Sequence, residues 1–417
     1  MHKPLRIAVH AAAGAILSAT LLAGAVIPAR ADTPGLPRSL AEAVAMERAD
    51  ALPNSAFYKA PSLKASKPGD LLREAAFDGY AIPEGSRAIR ILYHSLDATE
   101  HDVATSAVVL IPAGRPPAGG WPVIAWAHGT SGVAQQCAPS LAKSMVYGEE
   151  GLMPMVRAGF AVVATDYHGL GTQGPHQYVN KLAQARDVIY SVPAARAAVP
   201  SLARKWTAIG HSQGGIAMWG VAELQTTLKD PDYLGAISVA GAGELRDTLS
   251  AMDQPSGFAA FYLIYMAYAI HALTPEFKPS DMLVGKALSR YPAATTHGCW
   301  NYAYASFIGD SGGKVLKANW TKHPAVQKFF SANELGGKPM AGPFFVIAGE
   351  ADETVPLAGV KATVAKACAA GFSLAFRYYP GLDHDPTMEQ STPDQLAWVR
   401  DRIAGKPFAN ECPVASR

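Results

Sequence analysis

Two short runs of uninterrupted apolar residues constrain this chain most, Trp121 to Ala127 (WPVIAWA) and Phe160 to Thr165 (FAVVAT). A strand with one wet face alternates apolar and polar residues, so a continuous run marks a strand covered on both faces. Further strands are expected at Trp206 to Ile209, Leu234 to Ala240, Pro343 to Ala348 and Ala375 to Tyr379. Helical segments alternate with them, at Gln213 to Leu224, Leu357 to Ala370 and about Pro393 to Ile403. Leu182, Ala185, Ile189 and Val192 recur at helical spacing until Pro193 and read as an amphipathic crossover helix. Parallel neighbours need crossovers, so the pattern predicts an α/β fold with a mostly parallel, doubly wound sheet. Ahead of it, Ala88 to His94 and Ala104 to Ile111 flank polar Asp97 to Asp102 and read as an antiparallel pair.

About 100 residues separate the strand ending at Ala240 from the one beginning at Pro343, too many for a loop, so residues 241–342 are expected to form an inserted subdomain. Its most apolar stretch, Phe258 to Ala272, carries no formal charge but is short for a membrane span. Residues 32–85 are Pro-rich and weakly periodic and are expected to wrap a core made of residues 86–240 and 343–417. Residues 1–31 have the form of a secretory signal. Lys3 and Arg6 precede an apolar run from Ile7 to Ile27, and Ala29-Arg30-Ala31 offers a cleavage site after Ala31. An uncleaved anchor is the alternative, weakened by His10 and by the many alanines and glycines of the run. A secreted or periplasmic protein is expected.

The formal net charge of +2 comes with no basic or acidic run, so the electrostatic footprint of a nucleic-acid binder is absent. The leader holds three of the basic residues and no acid, which leaves the remainder close to neutral. Charged residues are 17% and hydrophobic residues 49%, which argues against disorder. With 38 Gly and 31 Pro the chain is too rich in turn residues for a coiled coil or helical solenoid. Four cysteines, Cys137, Cys299, Cys368 and Cys412, suggest two disulfides in an exported protein, with free buried thiols as the alternative. Cys368 and Cys412 both lie near the end of the chain and Cys137 and Cys299 in loop-rich stretches, which favours those two pairs. No Cys or His spacing suits a metal, so none is expected.

Three glycine motifs compete for a chemical role. Gly210-His211-Ser212-Gln213-Gly214 directly follows a strand and precedes a helix. A nucleophile on so sharp a turn needs small residues two places to either side, which Gly210 and Gly214 supply. The turn also aims a helix N-terminus at the serine, favouring the negative charge that attack creates. Gly309-Asp310-Ser311-Gly312-Gly313 matches the stretch around the nucleophile of trypsin-like proteases, but nothing upstream supplies their histidine motif or their His, Asp, Ser order, so a turn is expected. Gly169-Leu170-Gly171-Thr172-Gln173-Gly174 imitates a dinucleotide fingerprint. Asp166-Tyr167-His168 separates it from its strand, and Asp187 falls in a helical pattern, so a tight loop near the mouth of the site is the better reading.

A serine hydroxyl needs a base and an orienting acid, which in such a sheet follow in the order Ser, acid, His. His271, His297 and His323 fall in the insertion, and His384 alone follows a core strand, in Tyr378-Tyr379-Pro380-Gly381-Leu382-Asp383-His384. The loop after Pro343 to Ala348 offers Glu350, Asp352 and Glu353. Asp352 stands where a side chain reaches back over the strand ends and is preferred. Gln213 is expected to supply one backbone oxyanion donor, and Thr130, with Gly129 as neighbour and a hydroxyl that could add to it, a second from the loop His128-Gly129-Thr130-Ser131-Gly132.

Taken together, Ala127-His128-Gly129-Thr130 ahead of Cys137-Ala138-Pro139-Ser140, Asp166-Tyr167 with Gly169-Leu170-Gly171, the run from Gly210 to Gly215, Asp352 with Val355-Pro356, and His384 resemble the secretory lipase family of α/β-hydrolases, the lipase A type with a helical lid. Phe57-Tyr58 and Gly69-Asp70-Leu71-Leu72-Arg73 look like that family too, so the likeness covers roughly residues 50 to 412. The resemblance implies carboxylic ester hydrolysis without a cofactor, with acyl chains lodged under the lid. One departure is that fungal members carry an acidic residue where Thr130 stands. The expectation is therefore a Ser212, His384, Asp352 serine esterase or lipase. Phe261, Tyr262, Ile264, Tyr265 and Met266 would form an apolar acyl-binding cap, or only the cap's own core. A hydrophobic ester is the expected partner, with a lipid–water interface as a candidate one, and neither nucleic acid nor a partner protein is indicated. A peptidase or acyltransferase on the same fold is the alternative.

Overall fold

Nine strands form one sheet in the computed structural model, which describes residues 35–252, 259–309 and 314–412. All of the architecture below belongs to the unit Pro37–Arg417. The expected leader with its cleavage site, the start of the apolar stretch at Phe258, and Ser311 lie outside the described residues. In chain order the strands are β1 (Leu71–Ala76), β2 (Arg87–Leu96), β3 (Asp102–Ile111), β4 (Trp121–Ala127), β5 (Ala161–Thr165), β6 (Leu202–His211), β7 (Tyr233–Val239), β8 (Phe344–Gly349) and β9 (Leu374–Tyr379). In space they run β1-β2-β3-β5-β4-β6-β7-β8-β9. Pairings up to β3 with β5 are antiparallel, and all those from β5 to β9 are parallel.

The uninterrupted apolar runs have a direct cause. Ile124, Trp126, Val162, Ala164, Ile209, Ile237 and Val239 share one cluster with Met153, Met155, Val156, Leu396 and Val399 on one face of the sheet. The residues between them, Val123, Ala125, Val163, Ala208 and Ala236, point the other way because side chains alternate along a strand. They are equally inaccessible, beneath the helices Lys181–Ala198 and Gln213–Leu228. β1 was not foreseen. It is an edge strand with half-buried or exposed side chains, so it lacks the apolar signature. β6 starts before its apolar run because Arg204 and Lys205 lie at its exposed beginning.

The crossover helix Lys181–Ala198 differs from expectation in two ways. It continues through Pro193, whose ring is accommodated against Gly69, where a Cβ would come within 2.8 Å of it. It also has little solvent face, since Lys181, Gln184 and Asp187 are buried. The helix Gln213–Leu228, β2 and the segment at Asn333 and Glu334 pack against it. The Lys181 ammonium meets Glu223 and the Glu334 carbonyl, and its backbone N–H donates to Asn333 Oδ1 at 2.9 Å.

Between β7 and β8 the chain forms the helices Leu245–Met252, Ala260–Leu273, Gly285–Thr296, Trp300–Ala305 and Pro324–Ala332. Ala260–Leu273 is buried on nearly every side, which explains its unbroken apolar sequence. No helix among the described residues is long and apolar enough to cross a membrane. From the helix Leu40–Asp50, Glu47 accepts the N–H groups of Tyr302 at 2.8 Å and Cys299 at 3.2 Å, tying that helix to the chain between β7 and β8. A second tie is polar and buried. Arg90 donates to Tyr80 Oη at 2.6 Å and to the Ser140 carbonyl at 2.9 Å, while Asp166 accepts from the Ser140 N–H at 2.8 Å and from Ser106 Oγ at 2.6 Å. Burial pushes the Asp166 carboxyl up to about 6 against the bonds from Ser106 and Ser140. Tyr58 Oη lies 2.8 Å from Ser140 Oγ, so much of the family-like sequence around Tyr58, Ser140 and Asp166 sits in this cluster.

Disulfides join Cys137 to Cys299 across 162 residues and Cys368 to Cys412 across 44. Loop-closure entropy makes the longer bridge the more stabilising. Replacing Cys137 and Cys299 by Ala is expected to cost about 2–5 kcal/mol, about 1 kcal/mol more than replacing the other pair. Urea unfolding curves of the two double variants check this, and an equal or reversed order would contradict it.

Candidate active site

β6 ends at His211 and the next helix begins at Gln213, so the chain reverses at the single residue Ser212. Its φ of 55° and ψ of −115° lie where a non-glycine residue is rarely found. The turn closes only because its flanks are bare. A Cβ on Gly214 would lie 1.9 Å from the Ala127 carbonyl oxygen, and one on Gly210 would lie 2.2 Å from that of Gly214. The Ser212 N–H donates to Val239 O at 2.9 Å, and its carbonyl accepts from Ile216 at 3.2 Å.

The imidazole arrives from the loop after β9. His384 opens the short helix His384–Gln390, and its backbone N–H donates to Asp383 Oδ1 at 2.8 Å. His384 Nε2 lies 2.8 Å from Ser212 Oγ, and Nδ1 lies 2.8 Å from Asp352 Oδ2. A carboxylate only accepts, so Nδ1 carries a proton and Nε2 faces the serine. The loop after β8 holds Asp352 by its other oxygen, which accepts the N–H groups of Thr354 at 2.9 Å and Val355 at 2.7 Å. Glu350 turns away to accept the Gly381 N–H at 3.1 Å, and Glu353 is exposed.

Burial depresses the His384 pKa, but Asp352, with Asp385 and Asp383, outweighs it and pushes the value up to about 9. His211 packs 4.9 Å from the His384 ring and is driven the other way, to about 4, chiefly by burial.

Ser212 lines a small cleft, partly open to solvent. Gln213 and Thr130 line it too, with Leu249, Met252, Tyr262 and Met266 among its walls. Phe261 and Tyr265 stand behind that wall. The Phe261 ring packs 4.0 Å from Tyr262, and Tyr265 Oη donates to the Cys299 carbonyl at 3.1 Å. Ile264 is wholly buried. Gly129 is pressed under Tyr147, whose hydroxyl would lie 2.5 Å from a Cβ there. Thr130 Oγ1 is 2.8 Å from Tyr178 Oη.

Sequence reasoning missed Tyr147, Tyr178 and His176. The Gln213 amide donates to His176 Nε2 at 3.0 Å, since His176 Nδ1 gives its proton to the His168 carbonyl at 3.1 Å. His168 Nδ1 in turn donates to Asp187 Oδ2 at 2.8 Å. The glycines from Gly169 to Gly174 belong to this support. A Cβ on Gly169, at φ 82°, would lie 2.3 Å from the His176 nitrogen, so the glycine permits two backbone segments to touch. That glycine was the available signal, though it says nothing of which side chains meet. Among the described residues, His211, His384 and Asp385 converge closely enough to hold a metal ion, but both His384 ring nitrogens already face Ser212 and Asp352.

A mostly parallel sheet with a serine on a strand-to-helix turn at the C-terminal end of a central strand defines the α/β-hydrolase fold. Within that class the chain belongs to the secretory lipase family, whose model matches residues 139–411. It is 26% identical over 286 residues to Lipase 5 of Candida albicans, covering 64% of this chain and 60% of that protein. The chain thus spans about 60% of the length of the first curated relatives it matches. It is also 22% identical over 374 residues to a Mycobacterium tuberculosis protein described as "probable inactive lipase", covering 85% of this chain and 83% of the relative. The closed state of Candida antarctica lipase A superposes with a TM-score of 0.71 at 17% identity, over 86% of this chain and 89% of that one.

The sign of the His384 shift gives a test. A histidine whose folded pKa exceeds its unfolded value of about 6.5 adds stability that is fully present below that value and is lost as pH rises through about 9. Histidine NMR should show His384 titrating above 6.5, and Asp352→Asn should lower its pKa and remove that pH dependence of stability. A His384 that titrates below 6.5 in the unaltered protein would contradict the arrangement.

Proposed function

We propose that this chain is a serine hydrolase that cleaves carboxylic esters of apolar acids through an acyl-enzyme. The observation that carries the reading is the unbroken row from Ser212 Oγ through the His384 ring to Asp352, both links at 2.8 Å. Ser212 Oγ attacks the acyl carbon while its proton passes to Nε2 of His384 in its neutral form, whose share grows as pH rises toward about 9. Asp352 keeps the ring in the required tautomer and stabilises the imidazolium. The oxyanion so formed accepts the backbone N–H groups of Gln213 and Thr130, with Gly129 allowing the loop to approach. Collapse breaks the bond to the alkoxide, which leaves with the proton from His384. Water then repeats the sequence, releasing the acid and restoring Ser212.

Family membership favours an ester over an amide, and the apolar cleft favours an acyl chain over a charged group. Residues 241–342 serve as the cap, with Tyr262 and Met266 against the acyl chain and Phe261 and Tyr265 buttressing them. Residues 1–31 direct export and are removed after Ala31, and the two disulfides suit an oxidising compartment.

An inactive relative makes a direct assay necessary. Ser212→Ala should lower kcat on a short-chain aryl ester by on the order of a million-fold, and Ser311→Ala should leave it near that of the unaltered protein. Retained turnover in Ser212→Ala together with loss in Ser311→Ala would overturn the assignment. Faster cleavage of a matched amide than of the ester would replace esterase with peptidase chemistry.

A further inference from the structure

Thr130 and Tyr178 are both almost fully buried, and both line the cleft that contains Ser212 and Gln213. Their hydroxyls, 2.8 Å apart, have no other protein partner among the described residues. A pair of hydroxyls holds two protons and uses one between them. A phenol is the stronger acid of the two and its oxygen the poorer acceptor, so Tyr178 donates to Thr130 Oγ1. The Thr130 proton is thereby left uncommitted at the wall of the cleft. The loop bearing it leaves β4 beside the serine turn, since Ala127 pairs with Gly210 across the sheet.

Tyr178 is held there by strained backbone. The next residue, Val179, has φ 46°, rare for a β-branched side chain and costly enough to persist only where the surroundings over-determine it. Those surroundings are present. The Gln177 side chain accepts the Ala98 N–H at 2.8 Å, Asn180 accepts the Ala183 N–H at 3.0 Å, and the Tyr178 ring lies edge-on to Tyr265 at 5.8 Å and to His176 at 6.2 Å. Val179 itself lines the cleft, so the strain falls at the site and not on a remote loop.

We propose that the Thr130 hydroxyl is a third oxyanion donor beside the two backbone N–H groups, and that Tyr178 is the positioning residue that orients and polarises it. The inference rests on the Ser212 reading above. As the substrate carbonyl oxygen gains charge, Thr130 Oγ1–H donates to it while accepting from Tyr178, and a hydroxyl that accepts one bond donates the next more strongly. No covalent bond forms at either residue and no proton is transferred. Burial raises the Tyr178 pKa far above the working range, so the phenol remains a donor throughout.

The test is steady-state kinetics of four variants of the full chain on an aryl ester, with thermal unfolding measured beside them. Thr130→Val keeps the side-chain shape and should lower kcat roughly 10²-fold with KM nearly unchanged. Tyr178→Phe keeps the ring and should lower kcat about tenfold, the worth of one net hydrogen bond. Thr130→Ser should restore most of the rate. The double variant Thr130→Val with Tyr178→Phe should be no slower than Thr130→Val alone, because Tyr178 acts through Thr130. Multiplicative losses in the double variant, or Tyr178→Phe with kcat unchanged whatever its unfolding temperature, would overturn the proposal. If Thr130→Val fails to fold, Thr130→Ala replaces it with the same expectations. Retained activity in Ser212→Ala would sink the Ser212 reading itself, whereas an inactive Ser212→Ala beside a fully active Thr130→Val would sink only this inference.

Discussion

The backbone of Gly214 passes so near the Ala127 carbonyl that no side chain fits between them, and the site depends on that contact. It brings the first turn of the helix Gln213–Leu228 against the end of β4, which puts Ser212 and the loop carrying Thr130 side by side. The strained dihedrals of Ser212 are the consequence, and parallel pairing on both sides of β6 keeps them from relaxing. Asp352 comes to this fixed point from the end of β8 and His384 from the end of β9.

Burial gives the histidines around this point different characters. His128, His176 and His211 are pushed down to about 4, 3 and 4, because desolvation disfavours their charged forms. They serve as neutral struts, hydrogen-bonded to carbonyls or an amide or packed against neighbouring rings. His384 is equally enclosed but meets Asp352 directly, and its pKa rises instead. One carboxylate at 2.8 Å separates a residue able to carry a proton from three that hold the scaffold.

The fold was legible wherever burial on both faces erased the alternation of polar and apolar residues, as in β4, β5 and β8. It was illegible where burial was partial, as in β1, or where tertiary contacts overrode a local stop, as at Pro193. Around the serine, Gly210, Gly214, His384 and Asp352 could be picked out because each sits next to a strand end at a position the fold restricts. Tyr147, Tyr178 and His176 could not. They come from irregular segments whose path depends on distant contacts, such as Gly169 touching His176 or Gln177 bonding to Ala98. Local sequence records that a glycine is needed there, but not what presses against it.

Covalent trapping with a p-nitrophenyl alkylphosphonate tests the central claim most directly, because phosphorus mimics the tetrahedral acyl carbon and stays on the oxygen that attacks it. Peptide mass spectrometry after stoichiometric inhibition should find one adduct, on the peptide containing Ser212, and none when His384 is replaced by Ala. An adduct on Ser311, or equal labelling of Ser212 without His384, would contradict the assignment of Ser212 as a nucleophile activated by His384.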